Sequence, residues 1–160
     1  MAENLYVPEA KEREVIYEAL LPQIEALIKD ESDLIANLAN ISAALKQAFD
    51  FFWVGFYIYK KEELVLGPFQ GPIACTRIKP EKGVCGAAFS QNKTLIVPNV
   101  EEFPGHIACS SASKSEIVLP LCQNGQPVMV LDIDSDQLDD FSQEDQKGLE
   151  AIVKLLEATL

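Results

Sequence analysis

Three cysteines and three acids are the residues of this chain best suited to chemistry. Cys109 stands in Gly105-His106-Ile107-Ala108-Cys109, Cys75 in Pro72-Ile73-Ala74-Cys75, and Cys85 in Gly83-Val84-Cys85-Gly86. Glu116 follows Cys109 closely, and Asp132 and Asp134 stand in Leu131-Asp132-Ile133-Asp134-Ser135. A thiol that reacts, thiols that resolve it and acids that donate protons are the parts of a thiol redox enzyme. They work only if the fold brings them together. Each also has a plainer reading. Cys109 is either a reactive loop thiol, its pKa lowered by His106, or a small buried hydrophobe. Cys75 is a resolving thiol if its Cα lies within disulfide reach of Cys109. Cys85, between glycines, is either redox-active or packed where only small residues fit.

The acids have a geometric argument. Asp132 and Asp134 are two apart, so on a strand they share one face, with Leu131 and Ile133 on the other. Like charges on one face are unfavourable unless they hold something. With Glu116 they would form a cage for an ammonium group, and crowding would keep one carboxyl protonated near neutral pH. A solvated sheet face in an acidic protein is the alternative. Trp53, the only tryptophan, is either core or the apolar wall of a small pocket.

The elements that must position these residues are legible from period and punctuation. Residues 9–29 read as a helix with a break or kink at Pro22. Residues 33–49 form a second helix, capped by Ser32 or Asp33. Residues 51–59 and 63–69 read as a hairpin, and 72–77 as a third short strand. A small-residue helix covers 83–91 and a strand 94–97. Residues 99–114 lack a period and are long enough for a functional loop carrying Cys109. Strands at 117–121 and 127–133 flank the turn signal Asn124-Gly125. Ser142 caps a closing helix to residue 160, with Glu144 and Asp145 in its first turn. Consecutive hairpins with helices predict an α+β domain with an antiparallel sheet.

Composition narrows the function. The chain has 160 residues, one domain's worth, expected as a single domain over 1–160. Its 13 basic and 25 acidic residues give a net charge of −12, which argues against nucleic acid or anionic membrane as partner and favours substrates bearing an ammonium group. No signal-like or membrane-length apolar run is present, so a cytoplasmic location is expected. Four cysteines in such a chain read as reduced, catalytic or buried. None is spaced Cys-x-x-Cys, and His106 is the lone histidine, so no metal site of the usual zinc spacing is expected.

The motifs together resemble a family. Trp53-Val54-Gly55-Phe56-Tyr57, Gly67-Pro68-Phe69-Gln70-Gly71, Ile73-Ala74-Cys75, Gly83-Val84-Cys85-Gly86, Gly105-His106-Ile107-Ala108-Cys109, Ser115-Glu116-Ile117-Val118-Leu119-Pro120 and Leu131-Asp132-Ile133-Asp134-Ser135 occur in that order. The set is similar to the free methionine-(R)-sulfoxide reductases, which are single GAF domains. The resemblance implies a GAF-like antiparallel sheet flanked by helices. It implies Cys109 as attacking thiolate, Cys75 as the partner that closes a disulfide, and Cys85 as an alternative resolving thiol. Glu116, Asp132 and Asp134 would hold the substrate ammonium and sulfoxide oxygen, and Trp53 would pack on the terminal methyl. It further implies no bound cofactor, thioredoxin or another dithiol as external reductant, and a homodimer packed through terminal helices. Cys122 has no place in it. A GAF sensor that binds a small ligand, or a redox switch without turnover, is the alternative on the same fold.

Overall fold

The computed structural model describes residues 4–160; the first three residues of the expected domain lie outside the described residues. Leu20, Ile24 and Ile28 line one side of α1 (Arg13–Ile28), and Leu38, Ile41 and Leu45 line one side of α2 (Leu34–Phe49). The amide of Ala36 donates to the Asp33 carboxylate, which caps α2. The expected break at Pro22 is absent: α1 runs through it. Proline removes one backbone donor and crowds the preceding turn. Beside it the Gln23 side chain donates to the Ala19 carbonyl at 2.8 Å, and the buried stripe holds the helix in register.

The sheet is antiparallel throughout, with β1 (Trp53–Lys60), β2 (Glu63–Gln70), β3 (Arg77–Ile78), β4 (Leu95–Val97), β5 (Ser115–Gln123) and β6 (Gln126–Ser135) in the order β3-β2-β1-β6-β5-β4. The expected strand at 72–77 shrinks to two residues, Arg77 and Ile78. Two carbonyls of that segment are taken by side chains instead of a ladder. Trp53 Nε1 donates to Pro72 at 3.1 Å and the Tyr57 hydroxyl to Cys75 at 2.9 Å. Asn124 and Gly125 both have positive φ, 53° and 76°, as a tight hairpin turn requires. β5 and β6 extend past the expected 117–121 and 127–133 because their ends still pair, Ser115 with Ser135 and Gln123 with Gln126.

Period-two alternation gives the sheet two different faces. Val54, Phe56, Ile117, Leu119, Leu131 and Ile133 pack against α1, α2 and α4 (Gln143–Glu157). The backbone N–H of Ser142 donates to Asp145 at 3.0 Å, fixing the start of α4. The opposite face carries Trp53, Tyr57, Val118 and Val130 and is covered by α3 (Gly83–Gln91) and the loop before β5. The chain is an α+β domain with a six-stranded antiparallel sheet flanked by helices, as the sequence predicts.

Candidate active site

The second face of the sheet becomes polar at one end of its central strands. Glu116 pairs across β5 and β6 with Asp134, and Asp134 pairs across β6 and β1 with Trp53. Asp132, on β6 with Asp134, lies between Gly55 on β1 and Val118 on β5. Two-residue spacing and register therefore bring all three acids to one floor, as the sequence expected of Asp132 and Asp134. Glu116 and Asp132 are 6% and 5% exposed, and Asp134 is half-buried. The Ser113 hydroxyl donates to Asp134. Asp132 Oδ1 is buried and has no hydrogen-bond partner among the described residues.

Burial drives the electrostatics. It pushes the Glu116 carboxyl well above the ordinary range, and the neighbouring charges of Asp132 and Asp134 add to the rise. Asp134 rises for the same first reason and through the Asp132 charge, against the opposing hydrogen bond from Ser113. Asp132 rises by burial to about 6, held down by hydrogen bonding to Glu116 and Cys85. The floor thus favours protonated carboxyls until a cation arrives.

The thiols sit around this floor in two groups. Cys75 and Cys109 are joined by a disulfide, with a Cα separation of 5.4 Å; both are half-buried, and Cys109 lines the pocket. The disulfide links residues of the β2–β3 connection to the long loop before β5. That loop is irregular apart from one short 3₁₀ turn, Val100–Glu102. Cys85 is only 3% exposed and remains a free thiol on the first turn of α3. Its Sγ lies 3.9 Å from Glu116 Oε1. Burial raises its pKa, and the three acids raise it further. Cys122 lies on β5 away from the pocket, its thiol 3.1 Å from Asn92 Oδ1.

Aromatic residues form the apolar wall. Trp53 is buried and stacks on Phe69 with ring centroids 5.3 Å apart and on Tyr57 at 6.0 Å. Gly55 leaves its ring room to lie over the strand; a Cβ there would come within 2.7 Å of Trp53 Cη2. Sequence reading missed Tyr57, Lys82, Gly83 and Ser113, which also line the pocket. Tyr57 was legible by parity, since it shares a strand face with Trp53. Gly83 takes φ +62° at the start of α3, and the Gly83-Val84-Cys85 run that opens the helix lines the pocket. Ser113 lies in a loop without a period, and no sequence signal marked it. His106 lines the pocket with Cys109.

The pocket therefore joins a disulfide at its rim, proton-holding carboxyls on its floor and a flat aromatic wall. This set can oxidise and reduce a thiol beside a group that needs a proton. Residues 29–160 match the GAF domain family. The chain is 61% identical over 158 residues to GAF domain-containing protein A of Dictyostelium discoideum, covering 98% of this chain and 99% of that protein. It is 47% identical over 145 residues to the free methionine-R-sulfoxide reductase of Escherichia coli, covering 90% and 88%. The solved free methionine-R-sulfoxide reductase of Neisseria meningitidis, in complex with its substrate, superposes with a TM-score of 0.95 at 48% identity, covering 98% of this chain and 94% of that one.

Proposed function

The chain belongs to the free methionine-R-sulfoxide reductases of the GAF-domain family, oxidoreductases by type, and from that premise we propose that it reduces free L-methionine-(R)-sulfoxide by thiol chemistry in this pocket. The observation that carries the reading is the Cys75–Cys109 disulfide beside three acids that favour protonation. Cys109 is the nucleophile. Its thiolate attacks the sulfoxide sulfur while the sulfoxide oxygen takes a proton from Glu116 or Asp134. Methionine leaves, the oxygen passes to Cys109 as a sulfenic acid, and the Cys109 sulfur is oxidised by two electrons. The Cys75 thiol displaces that oxygen as water and closes the disulfide. A thioredoxin-type dithiol reopens it by exchange and returns both thiols. Cys85 is the alternative resolving thiol. Its raised pKa keeps it protonated and makes it the slower of the two.

Substrate recognition follows from charge. Asp132, whose Oδ1 is buried without a partner among the described residues, holds the substrate ammonium together with Glu116. Lys82 and the first turn of α3, whose N–H groups lack intrahelical acceptors, receive the carboxylate. Trp53 faces the terminal methyl. A cage for both charged ends excludes sulfoxides inside a polypeptide, whose ends are amides. We further propose that the working unit is a homodimer packed through terminal helices, and that the protein acts in the cytoplasm, where dithiol reductants are available.

The test uses dithiothreitol, racemic free methionine sulfoxide and chiral analysis of what remains. Selective loss of the R epimer, with little reduction of an N-acetylated, C-amidated substrate, is expected. Equal loss of both epimers, or brisk reduction of the blocked substrate, would refute the two-ended cage.

A further inference from the structure

The cage has a second property that its substrate does not use. Cys85 Sγ, one Glu116 oxygen and one Asp132 oxygen all lie within 4.8 Å of one another, and all three residues are buried. Two donors on one tetrahedral zinc ion sit ~3.5 Å apart, given bonds of ~2.3 Å to sulfur and ~2.1 Å to oxygen. Side-chain adjustments of about an ångström would bring this trio to that spacing. Asp132 also keeps one buried oxygen, Oδ1, without a hydrogen-bond partner among the described residues, a lone-pair donor left for a ligand. One thiolate with two carboxylates is a mixed soft and hard donor set, which suits zinc or cobalt and disfavours magnesium or calcium.

We propose that Cys85, Glu116 and Asp132 form a thiophilic divalent-metal site, with zinc as its ligand class, which occupies the place of the substrate ammonium. Metal binding forms one bond to sulfur and two to oxygen, and the ligand protons pass to solvent. No electron transfer is involved. The fourth position faces the pocket, as in zinc sites with three protein ligands. The metal site stands on the trio's geometry, its donor set and the free Asp132 oxygen, without the ammonium role. Only its competition with substrate rests on the ammonium role proposed above. A metal here would make the enzyme reversibly sensitive to free zinc without touching Cys109.

Cobalt provides the probe, because thiolate coordination gives a sulfur-to-metal charge-transfer absorption. The protein is titrated with Co²⁺ in its disulfide form, so that Cys75 and Cys109 cannot ligate. One equivalent should bind with that absorption. Cys122→Ser should leave it intact, Cys85→Ser should abolish it, and Asp132→Asn should weaken binding at least ~10-fold. No absorption in the unaltered protein, or an absorption that survives Cys85→Ser and vanishes in Cys122→Ser, would overturn the site. Asp132→Asn keeps the thiol and the side-chain shape, so it decides the matter if Cys85→Ser misfolds. Unchanged affinity in that variant would also overturn it. Free methionine should displace the cobalt competitively. Displacement failing while the mutant pattern holds would refute the ammonium role and leave the metal site in place.

Discussion

Glu116 and Asp132 lie on neighbouring strands, yet the pocket gives them different work. Glu116 is pushed well above the ordinary range by burial and two neighbouring charges, which favours its protonated form. Asp132, raised to about 6, is the acid most readily ionised beside a cation. Glu116→Gln and Asp134→Asn should lower single-turnover methionine release on the order of 10²-fold at saturating sulfoxide. In the unaltered protein that rate should fall as pH rises through the raised pKa values, since the donor must be protonated. Asp132 predicts the opposite sign for binding: KM should fall as pH rises through about 6, and Asp132→Asn should remove that limb. Linkage gives a stability counterpart. A carboxyl raised from ~4 to about 6 contributes its stabilisation below pH ~4 and loses it as pH rises through about 6. Asp132→Asn should therefore raise the substrate-free melting temperature at pH 7 and change it little at pH 4. Equal shifts at both pH values would mean that Asp132 is not strained. Among the thiols, Cys109→Ser should abolish methionine release with any reductant. Cys75→Ser should complete one round and then stall with thioredoxin, and Cys122→Ser should be nearly neutral. Substantial release by Cys109→Ser would assign the nucleophile elsewhere.

Elements rather than single residues explain how the pocket is held open and closed. Trp53 and Tyr57 lie four apart on β1, on one face, and bond the Pro72 and Cys75 carbonyls, which fixes the segment bearing Cys75 to the sheet. Gly55 lies between them. A methyl at Gly55 would meet Phe69 Cα and Cβ and press on Trp53 Cη2 at 2.7 Å. Gly55→Ala should cost about 1–3 kcal/mol by overpacking and raise KM, because the aromatic wall would be displaced. Urea unfolding and a substrate titration would check both, and a variant as stable and as tight-binding as the parent would contradict the packing role. At this scale the sequence was readable wherever one rule dominated. The Asn124-Gly125 hairpin, the Asp33 cap and the same-side placement of Asp132 and Asp134 follow from turn chemistry, capping and strand parity. Pro22 does not break α1, because tertiary burial outweighs one lost helical bond. The segment at 72–77 misled because its carbonyls bond to Trp53 and Tyr57, residues far away in sequence. The pairing of Glu116 with Asp134 depends on register, and Ser113 sits in an aperiodic loop, so neither was fixed by local pattern.

Across the whole molecule, the two faces of one sheet divide the work. One face packs α1, α2 and α4 into a large apolar core, and the other carries α3, the loops and the pocket. The disulfide belongs only to the second side and spans a sequence separation of 34 residues. A loop of that length constrains the unfolded chain by on the order of 3 kcal/mol, while the main core is independent of it. The reduced protein should therefore unfold as cooperatively as the oxidised one, at a lower urea midpoint. Loss of cooperativity on reduction would make the disulfide a structural requirement instead of a turnover state. The net charge of −12 acts further out, repelling polyanions. The most direct test of the central claim is a single turnover without added reductant. Fully reduced protein is mixed with excess free methionine-(R)-sulfoxide, and methionine and disulfide are counted together. One methionine per chain, with a Cys75–Cys109 disulfide appearing in equal amount, is the predicted result. Methionine without that disulfide, or the disulfide without methionine, would contradict the account.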